Sequence, residues 1–473
     1  MTTYSLTLQH EHFEQLKSHL IRDDGCEHAA YILCNRAAVR SDPWDRQAHT
    51  KFLSSRIIPV PDEHVIERTA NLITWKTASF VSALRQANAN GQEVGIVHSH
   101  GAGQCFFSAQ DDANEPDLVQ LAVNRNGAET KMLSLVLTAD GLLTGRIWLT
   151  PSPNGAAPLR MVRVTGERLD LHCADRSANL PIPAFHRQAL AFGEALNHDL
   201  RRLRVAIVGC GGTGSAVAML LARLGVGQIA LIDNDIVDVT NLNRLHGSRQ
   251  ADADAMRPKI EVVARSITEF GLGSRVVPIE AWVADPACRD VLRASDVIFG
   301  CTDDHEGRLF LNRFAYYYLT PVIDIGLAIE PAPEGSTTIR ALDGRVTVLG
   351  PNHTCLLCRD VINPEAARAE TMRRKHPEEY ERRKSESYVL GTGNPSPAVV
   401  TFTTETACMA VNELIHRLQG FRGPDGASAN RVRKFRYGED RRPGHTSAAG
   451  CQICGSSASW GAGDVDPFLG RMD

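Results

Sequence analysis

Two rhythms of apolar and polar positions divide the chain. In the first third, residues 10–21 have helical spacing, 29–33 form a continuous apolar run of strand type, 77–89 suit a helix and 94–98 a strand. Further strand-like runs fall at 132–138 and 146–149, a Pro/Gly-bearing turn at 151–155, and closing strands at 159–164 and 169–172. From Arg204 the rhythm changes. Val205-Ala206-Ile207-Val208 is uninterruptedly apolar, a glycine-rich turn follows, then a helix over 215–224 and a strand over 228–232. That is a βαβ unit, which predicts a parallel, doubly wound sheet. Runs at 297–299 and 322–325 supply later strands and 404–418 a helix, while the highly charged stretch 365–386 reads as a solvated crossover.

The polar stretch 174–178, followed by Pro181 and Pro183, marks a linker, so the expected organisation is a mixed α+β domain over 1–175, a linker over 176–183 and a larger Rossmann-like α/β domain over 184–473. A length of 473 residues allows two or three domains. The charge balance is 51 Lys+Arg against 55 Asp+Glu, a net −4, so there is no basic excess to neutralise phosphates and no nucleic-acid partner is expected. The first ten residues lack a basic segment and a long apolar one, and the best apolar run, 216–224, is broken by Arg223. The expectation is a cytoplasmic protein without a membrane partner. Four of the 12 cysteines form two C-x-x-C pairs, Cys355/Cys358 and Cys451/Cys454, which suggests metal binding rather than a disulfide lattice.

Residues 94–100, Val-Gly-Ile-Val-His-Ser-His, put two histidines two apart at a strand end, so both imidazoles face one side. Ser108 and Asp111 follow at the spacing H-x-H-x7-S-x-x-D. His98, His100 and Asp111 supply three metal ligands and leave a fourth zinc position open, the mark of a catalytic rather than a structural zinc. Glu27, just before the 29–33 strand, is the candidate general base, with Glu63 and Glu67 as competitors. This set resembles the JAMM (MPN/JAB) metalloproteases, zinc isopeptidases that cleave after ubiquitin-like C-termini. The resemblance implies that Ser108 stabilises the oxyanion and Glu27 shuttles the proton. The family often has Pro where this chain has Gly101.

Gly209-Cys210-Gly211-Gly212-Thr213-Gly214 follows a strand and opens a helix, an arrangement that lets backbone N–H groups meet phosphates. Asp233 at the end of the next strand suits ribose hydroxyls, and to this point a dehydrogenase competes. Downstream come Asp235, Asn241, Arg244, Lys259 and Asp303. Cations for a triphosphate and a carboxylate for Mg²⁺ suit adenylyl transfer, whereas hydride transfer does not require them. The order resembles the ThiF/MoeB superfamily, the catalytic fold of ubiquitin-activating enzymes, over about 184–417. The resemblance implies that Gly209, Gly211, Gly212 and Gly214 line the phosphate turn and Asp233 holds the ribose. Asp235 belongs to the nucleotide site, Asn241, Arg244 and Lys259 contact phosphates, and Asp303 binds Mg²⁺. Arg187 resembles the arginine supplied across a homodimer interface. The two C-x-x-C pairs match the structural zinc of the same family.

Together these resemblances imply an enzyme that uses ATP, Mg²⁺ and two Zn²⁺, one catalytic and one structural. It would adenylate the C-terminal glycine of a ubiquitin-like protein and process or deconjugate that protein, with an E2-type conjugating enzyme as partner, in a bacterial conjugation pathway of the antiviral defence kind. Activation of a sulfur carrier is the alternative; a scaffold with one decayed domain is a third reading. Many activating enzymes carry a transfer cysteine in the crossover, yet residues 359–407 hold none and 391–397 read Gly-Thr-Gly-Asn-Pro-Ser-Pro. Cys408 lies in an apolar helical run, and Cys210 and Cys301 flank the nucleotide turn and the Asp303 loop.

Overall fold

The structure, a computed structural model, describes residues 2–173, 182–385 and 397–464. Among these, one compact unit takes in the residues up to 173 with 317–319 and 460–464, and a second takes in 182–316 and 320–459. Most of the expected linker lies outside the described residues.

The first unit runs β1 (Thr3–Gln9), α1 (His10–Leu20), β2 (Ala29–Val39), β3 (His49–Pro59), β4 (Val65–Thr69), β5 (Leu72–Trp75), α2 (Thr77–Ala89), β6 (Glu93–His100), α3 (Ala109–Asn126), β7 (Met132–Thr138), β8 (Leu143–Trp148), β9 (Ala156–Pro158), β10 (Met161–Thr165) and β11 (Leu169–Cys173). Nine strands form one sheet in the order β11-β10-β1-β3-β2-β6-β7-β8-β9, and β4 and β5 make a separate hairpin. The central strands β2 and β6 are buried on both faces, hence their continuous apolar runs. On one face Ile32, Val97 and Leu135 pack with Leu16 of α1; on the other Tyr31, Ile96 and Trp148 pack with Phe80 of α2 and Val119 of α3. β2 pairs antiparallel with β6, Ala29 opposite His98, and continuing that register brings Glu27 level with His100. Strands β1 and β3 had no counterpart among the sequence expectations: their inward positions Ser5, Thr7, His49 and Lys51 are polar yet buried, which breaks the apolar signal.

The second unit runs α4 (His186–Phe192), α5 (Glu194–Arg202), β12 (Arg204–Val208), α6 (Gly212–Leu224), β13 (Gln228–Ile232), α7 (Gln250–Asp254), α8 (Lys259–Glu269), β14 (Arg275–Ile279), α9 (Arg289–Ala294), β15 (Val297–Gly300), α10 (His305–Tyr317), β16 (Val322–Glu330), β17 (Ala341–Leu349), α11 (Pro364–Lys375), α12 (Pro377–Ser385), α13 (Val400–Gln419), β18 (Asn430–Lys434) and β19 (Glu439–Arg441). Strands β14-β13-β12-β15-β16 are parallel, and β17-β18-β19 extend the sheet antiparallel. The chain leaves β12 toward β13 and returns on its other side through β15, so a crevice opens where the strand order reverses. The charged stretch expected as a crossover forms α11 and α12. Among the described residues no helix is long and apolar enough to cross a membrane.

Candidate active sites

In the first unit His98 and His100 leave the end of β6 toward the start of α3. Ser108 is the N-cap of that helix: its Oγ accepts from the Asp111 N–H at 3.2 Å, and its own N–H donates to Asp111 Oδ2 at 2.7 Å. The S-x-x-D spacing is therefore also a capping box. It turns Asp111 toward the histidines, with Oδ1 3.2 Å from His98 Nε2 and Oδ2 3.8 Å from His100 Nε2. The two Nε2 atoms are 3.0 Å apart. Ligands about 2.0 Å from a shared tetrahedral centre stand about 3.3 Å apart, so this set fits zinc. His100 Nδ1 is 3.1 Å from the Gln104 carbonyl, which holds the ring with Nε2 toward the site. Gly101 closes that turn, its carbonyl accepting from the Gln104 N–H at 3.2 Å.

Burial pushes the Glu27 carboxyl up to about 7, a value suited to a base at neutral pH, and Oε1 lies 3.7 Å from His100 Nε2. Burial also acts on Asp111, but hydrogen bonds from His98 and Ser108 outweigh it and hold the carboxyl well below its usual range. His98 moves the opposite way, raised by Asp111 against its burial, while burial and His98 lower His100. Glu27, His98, His100, Ser108 and Asp111 all line one cavity of about 490 Å³, to which β5 also contributes Leu72, Ile73, Thr74 and Trp75. Glu63 and Glu67 are exposed and do not line it. Glu115, which sequence reasoning missed, does, and the signal was available: it stands one helical turn beyond Asp111.

In the second unit the cleft opens at the carboxyl ends of β12 and β15 and holds about 590 Å³. Gly209 has φ +89°, and a side chain there would strike the Cys301 carbonyl at 2.8 Å. Gly214 lets α6 start against the turn: a Cβ would stand 1.7 Å from the Gly209 oxygen. Gly209, Gly211, Gly212, Asp233, Asp235, Arg244, Lys259 and Asp303 line the cleft; Gly214 supports it from behind. Asp233 is raised by burial and accepts the backbone N–H groups of Cys210 (2.6 Å) and Asp235 (2.8 Å). Asp304 caps the start of α10 through the Gly307 N–H and Thr302 Oγ1. Asp303, exposed beside it, accepts no such bond among the described residues.

One expected phosphate contact, Asn241, does not line this cleft: it accepts the Asp238 N–H at 3.1 Å in a local capping box. Arg187, expected to act across a homodimer interface, is exposed on α4. Trp282, Glu306, Arg308, Glu370 and Arg374 line the cleft without having been anticipated. Arg374 lies 3.7 Å over the Trp282 ring and pairs with Glu306 at 2.7 Å. No motif spacing announces Glu370 and Arg374, because α11 reaches the cleft only through the fold.

Cys355, Cys358, Cys451 and Cys454 converge with sulfur separations of 3.8 Å (355–451), 3.6 Å (358–454) and 3.7 Å (451–454). Four sulfurs about 2.3 Å from one centre stand about 3.8 Å apart, so the cluster fits a four-thiolate metal, and the separations are too long for disulfides. Against burial, backbone N–H groups of Cys454 and Ile453 pull Cys451 down, and burial pushes Cys355 up. Of the thiols weighed for acyl transfer, Cys210 is buried, Cys301 and Cys408 are partly buried, and burial raises all three. Residues 391–396 of the crossover lie outside the described residues.

The ThiF family model matches residues 185–452, and the model for prokaryotic homologs of the JAB domain matches residues 9–146. A molybdopterin-synthase adenylyltransferase of Salmonella typhimurium is 32% identical over 163 residues, 34% of this chain and 59% of that protein. The SAMP-activating enzyme E1 of Haloferax volcanii is 30% identical over 165 residues, 34% of this chain and 54% of that protein. The chain thus spans little more than half the length of these curated relatives. An E. coli MccB structure with MccA-N7isoASN aligns over 60% of this chain and 78% of its own, at 18% identity and a TM-score of 0.45. The chain belongs to the ThiF family and carries a JAB domain ahead of its ThiF region.

Proposed function

We propose that the ThiF region uses Mg-ATP to adenylate the C-terminal glycine of a ubiquitin-like or sulfur-carrier protein. A carboxylate oxygen of that glycine attacks the α-phosphorus, the bond to the bridging oxygen breaks, and pyrophosphate leaves an acyl-adenylate behind. Arg244 and Lys259 bind the phosphates, with Lys259 leaving its 2.7 Å pairing to Asp235, while Asp233 holds the ribose. Mg²⁺, held by Asp303, supplies charge neutralisation when bound. Arg187 serves the cleft of a second copy, so the proposal includes a homodimer. The observation that carries this reading is the convergence of Lys259, Arg244 and Asp303 on the Gly209 turn. ATP–pyrophosphate exchange with carriers ending in glycine tests it, and silence across all plausible carriers would overturn it.

The JAB domain, in the same reading, is a zinc-dependent (iso)peptidase that trims or deconjugates that same tail. His98, His100 and Asp111 hold the metal, which when bound supplies Lewis acidity. Glu27 takes the proton from attacking water and returns it to the leaving amine, and the Ser108 hydroxyl donates to the developing oxyanion. The four cysteines hold a structural zinc. Reduced thiolates and ATP use suit a cytoplasmic location.

Two relatives lend their names to the two carrier classes, a SAMP-activating E1 and a molybdopterin-synthase adenylyltransferase. In the conjugation reading the acyl group passes to an E2-type enzyme, in a defence pathway. The absence of cysteine from residues 359–407 favours direct transfer to an external thiol, which suits a sulfur carrier as well. A reducible thioester between this chain and its carrier would refute direct transfer.

A further inference from the structure

Beneath the metal-ligand set lies a second cluster that the peptidase reading does not use. Glu115 is 5% exposed, with a carboxylate fully engaged by side chains of two neighbouring strands. Oε1 accepts from Ser134 Oγ on β7 at 2.6 Å, and Oε2 accepts from Arg146 Nε on β8 at 2.9 Å and from the Trp148 indole N–H. A buried carboxylate so bonded is anchored, and its helix α3 with it. Arg146 does more than neutralise it. Its guanidinium lies 3.9 Å over the Phe107 ring, immediately before Ser108, and its Nη1 bonds Asp112, immediately after Asp111. One side chain from the sheet thus grips both ends of the Ser108–Asp111 turn.

We propose that Arg146 is a positioning residue that holds the Ser108–Asp111 turn in register with His98 and His100. The turn is a loop-to-helix junction, and Asp111 reaches the histidines only from the first turn of α3. With the N-cap of α3 pinned to β8, the Asp111 carboxylate and the Ser108 hydroxyl lose the freedom to swing out, and the ligand set is formed before metal arrives. A buried pair of purely structural importance would explain Glu115 with Arg146, but not the stacking on Phe107 or the bond to Asp112.

The inference rests on the peptidase reading only for its consequence at the metal, so the test has one arm independent of metal. Full-length protein and its Arg146→Met variant are compared by amide hydrogen exchange at residues 107–112 without metal. They are then compared by Co²⁺ titration, in which histidine–carboxylate cobalt is told from thiolate cobalt by its lack of a sulfur charge-transfer band. Arg146→Met is expected to speed exchange at 108–111 and to weaken Co²⁺ at this site by about 10- to 100-fold, the usual effect of losing an outer-shell partner. Phe107→Leu, which leaves the Glu115–Arg146 pair whole, is expected to change both in the same direction by less, and it serves if Arg146→Met does not fold. Wild-type exchange and wild-type Co²⁺ affinity in a folded variant would overturn the inference. Faster exchange in the variant, with no Co²⁺ bound here by the wild-type protein, would instead overturn the metal reading and leave the clamp standing.

Discussion

Lys259 Nζ stands 2.7 Å from Asp235 Oδ2, at the N-terminus of α8 and on the wall of the nucleotide cleft. A cation largely withdrawn from water and oriented by an exposed carboxylate can trade that partner for a phosphate at little reorganisation cost. Lys259→Ala is expected to lower carrier-dependent ATP–pyrophosphate exchange by about 10²- to 10³-fold. Asp235→Asn removes only the exposed partner, whose side chain is 63% accessible, and is expected to cost far less. Equal losses in the two variants would show that the pair, rather than the cation, matters.

The two glycines at the turn separate folding from binding. A side chain at Gly214 meets the Gly209 carbonyl, whereas one at Gly211 meets nothing within 4 Å and the local φ is −72°. Gly214→Val is expected to destabilise the unit by about 1–3 kcal/mol in denaturant unfolding and to lose nucleotide. Gly211→Ala is expected to keep its stability while weakening ATP in a direct binding titration, because the added methyl points into the cleft.

Metal content distinguishes the two clusters. Elemental analysis of purified protein is expected to give two zinc ions per chain. His98→Ala should retain one, with peptidase activity gone and pyrophosphate exchange within about twofold of wild type. Cys355→Ser should also lose one zinc, and because metal free energy is folding free energy at a closed thiolate site, its thermal midpoint should fall. Two zincs retained in Cys355→Ser would contradict the four-thiolate assignment.

Asp252 is 2% exposed, and Arg265 approaches it through Nη1 at 2.7 Å and Nη2 at 2.8 Å. Arg265 holds the carboxyl below its ordinary 3.8, so the pair adds stability above that value and loses it as pH falls through the lower folded-state value. Arg265→Met is expected to destabilise the protein by about 1–3 kcal/mol at neutral pH. The difference from wild type should narrow in strongly acidic solution; a constant gap down to pH 2 would argue against the linkage.

How much of each site was legible depended on how far apart its parts lie in the chain. His98 and His100 share a face because a strand has period two, and Ser108 with Asp111 forms a helix cap because that box needs only four residues. The glycine turn, the Asp233 strand end and both C-x-x-C clamps are likewise local devices. Asn241 was named from its place in a motif order, and order alone does not say which way a side chain goes: the fold turns Asn241 back onto Asp238.

What short-range chemistry determined from the sequence alone was the βαβ start of the second unit, the ligand strings and the paired thiolates, since each is specified by backbone period, capping or spacing within a few residues. Tertiary structure alone decided that Glu27 comes level with His100, that Arg146 grips the Ser108 turn from β8, and that Arg374 closes on Trp282. Those contacts join residues separated by whole elements. Their partners are chosen by sheet register and by burial of a shared core, which no local pattern encodes.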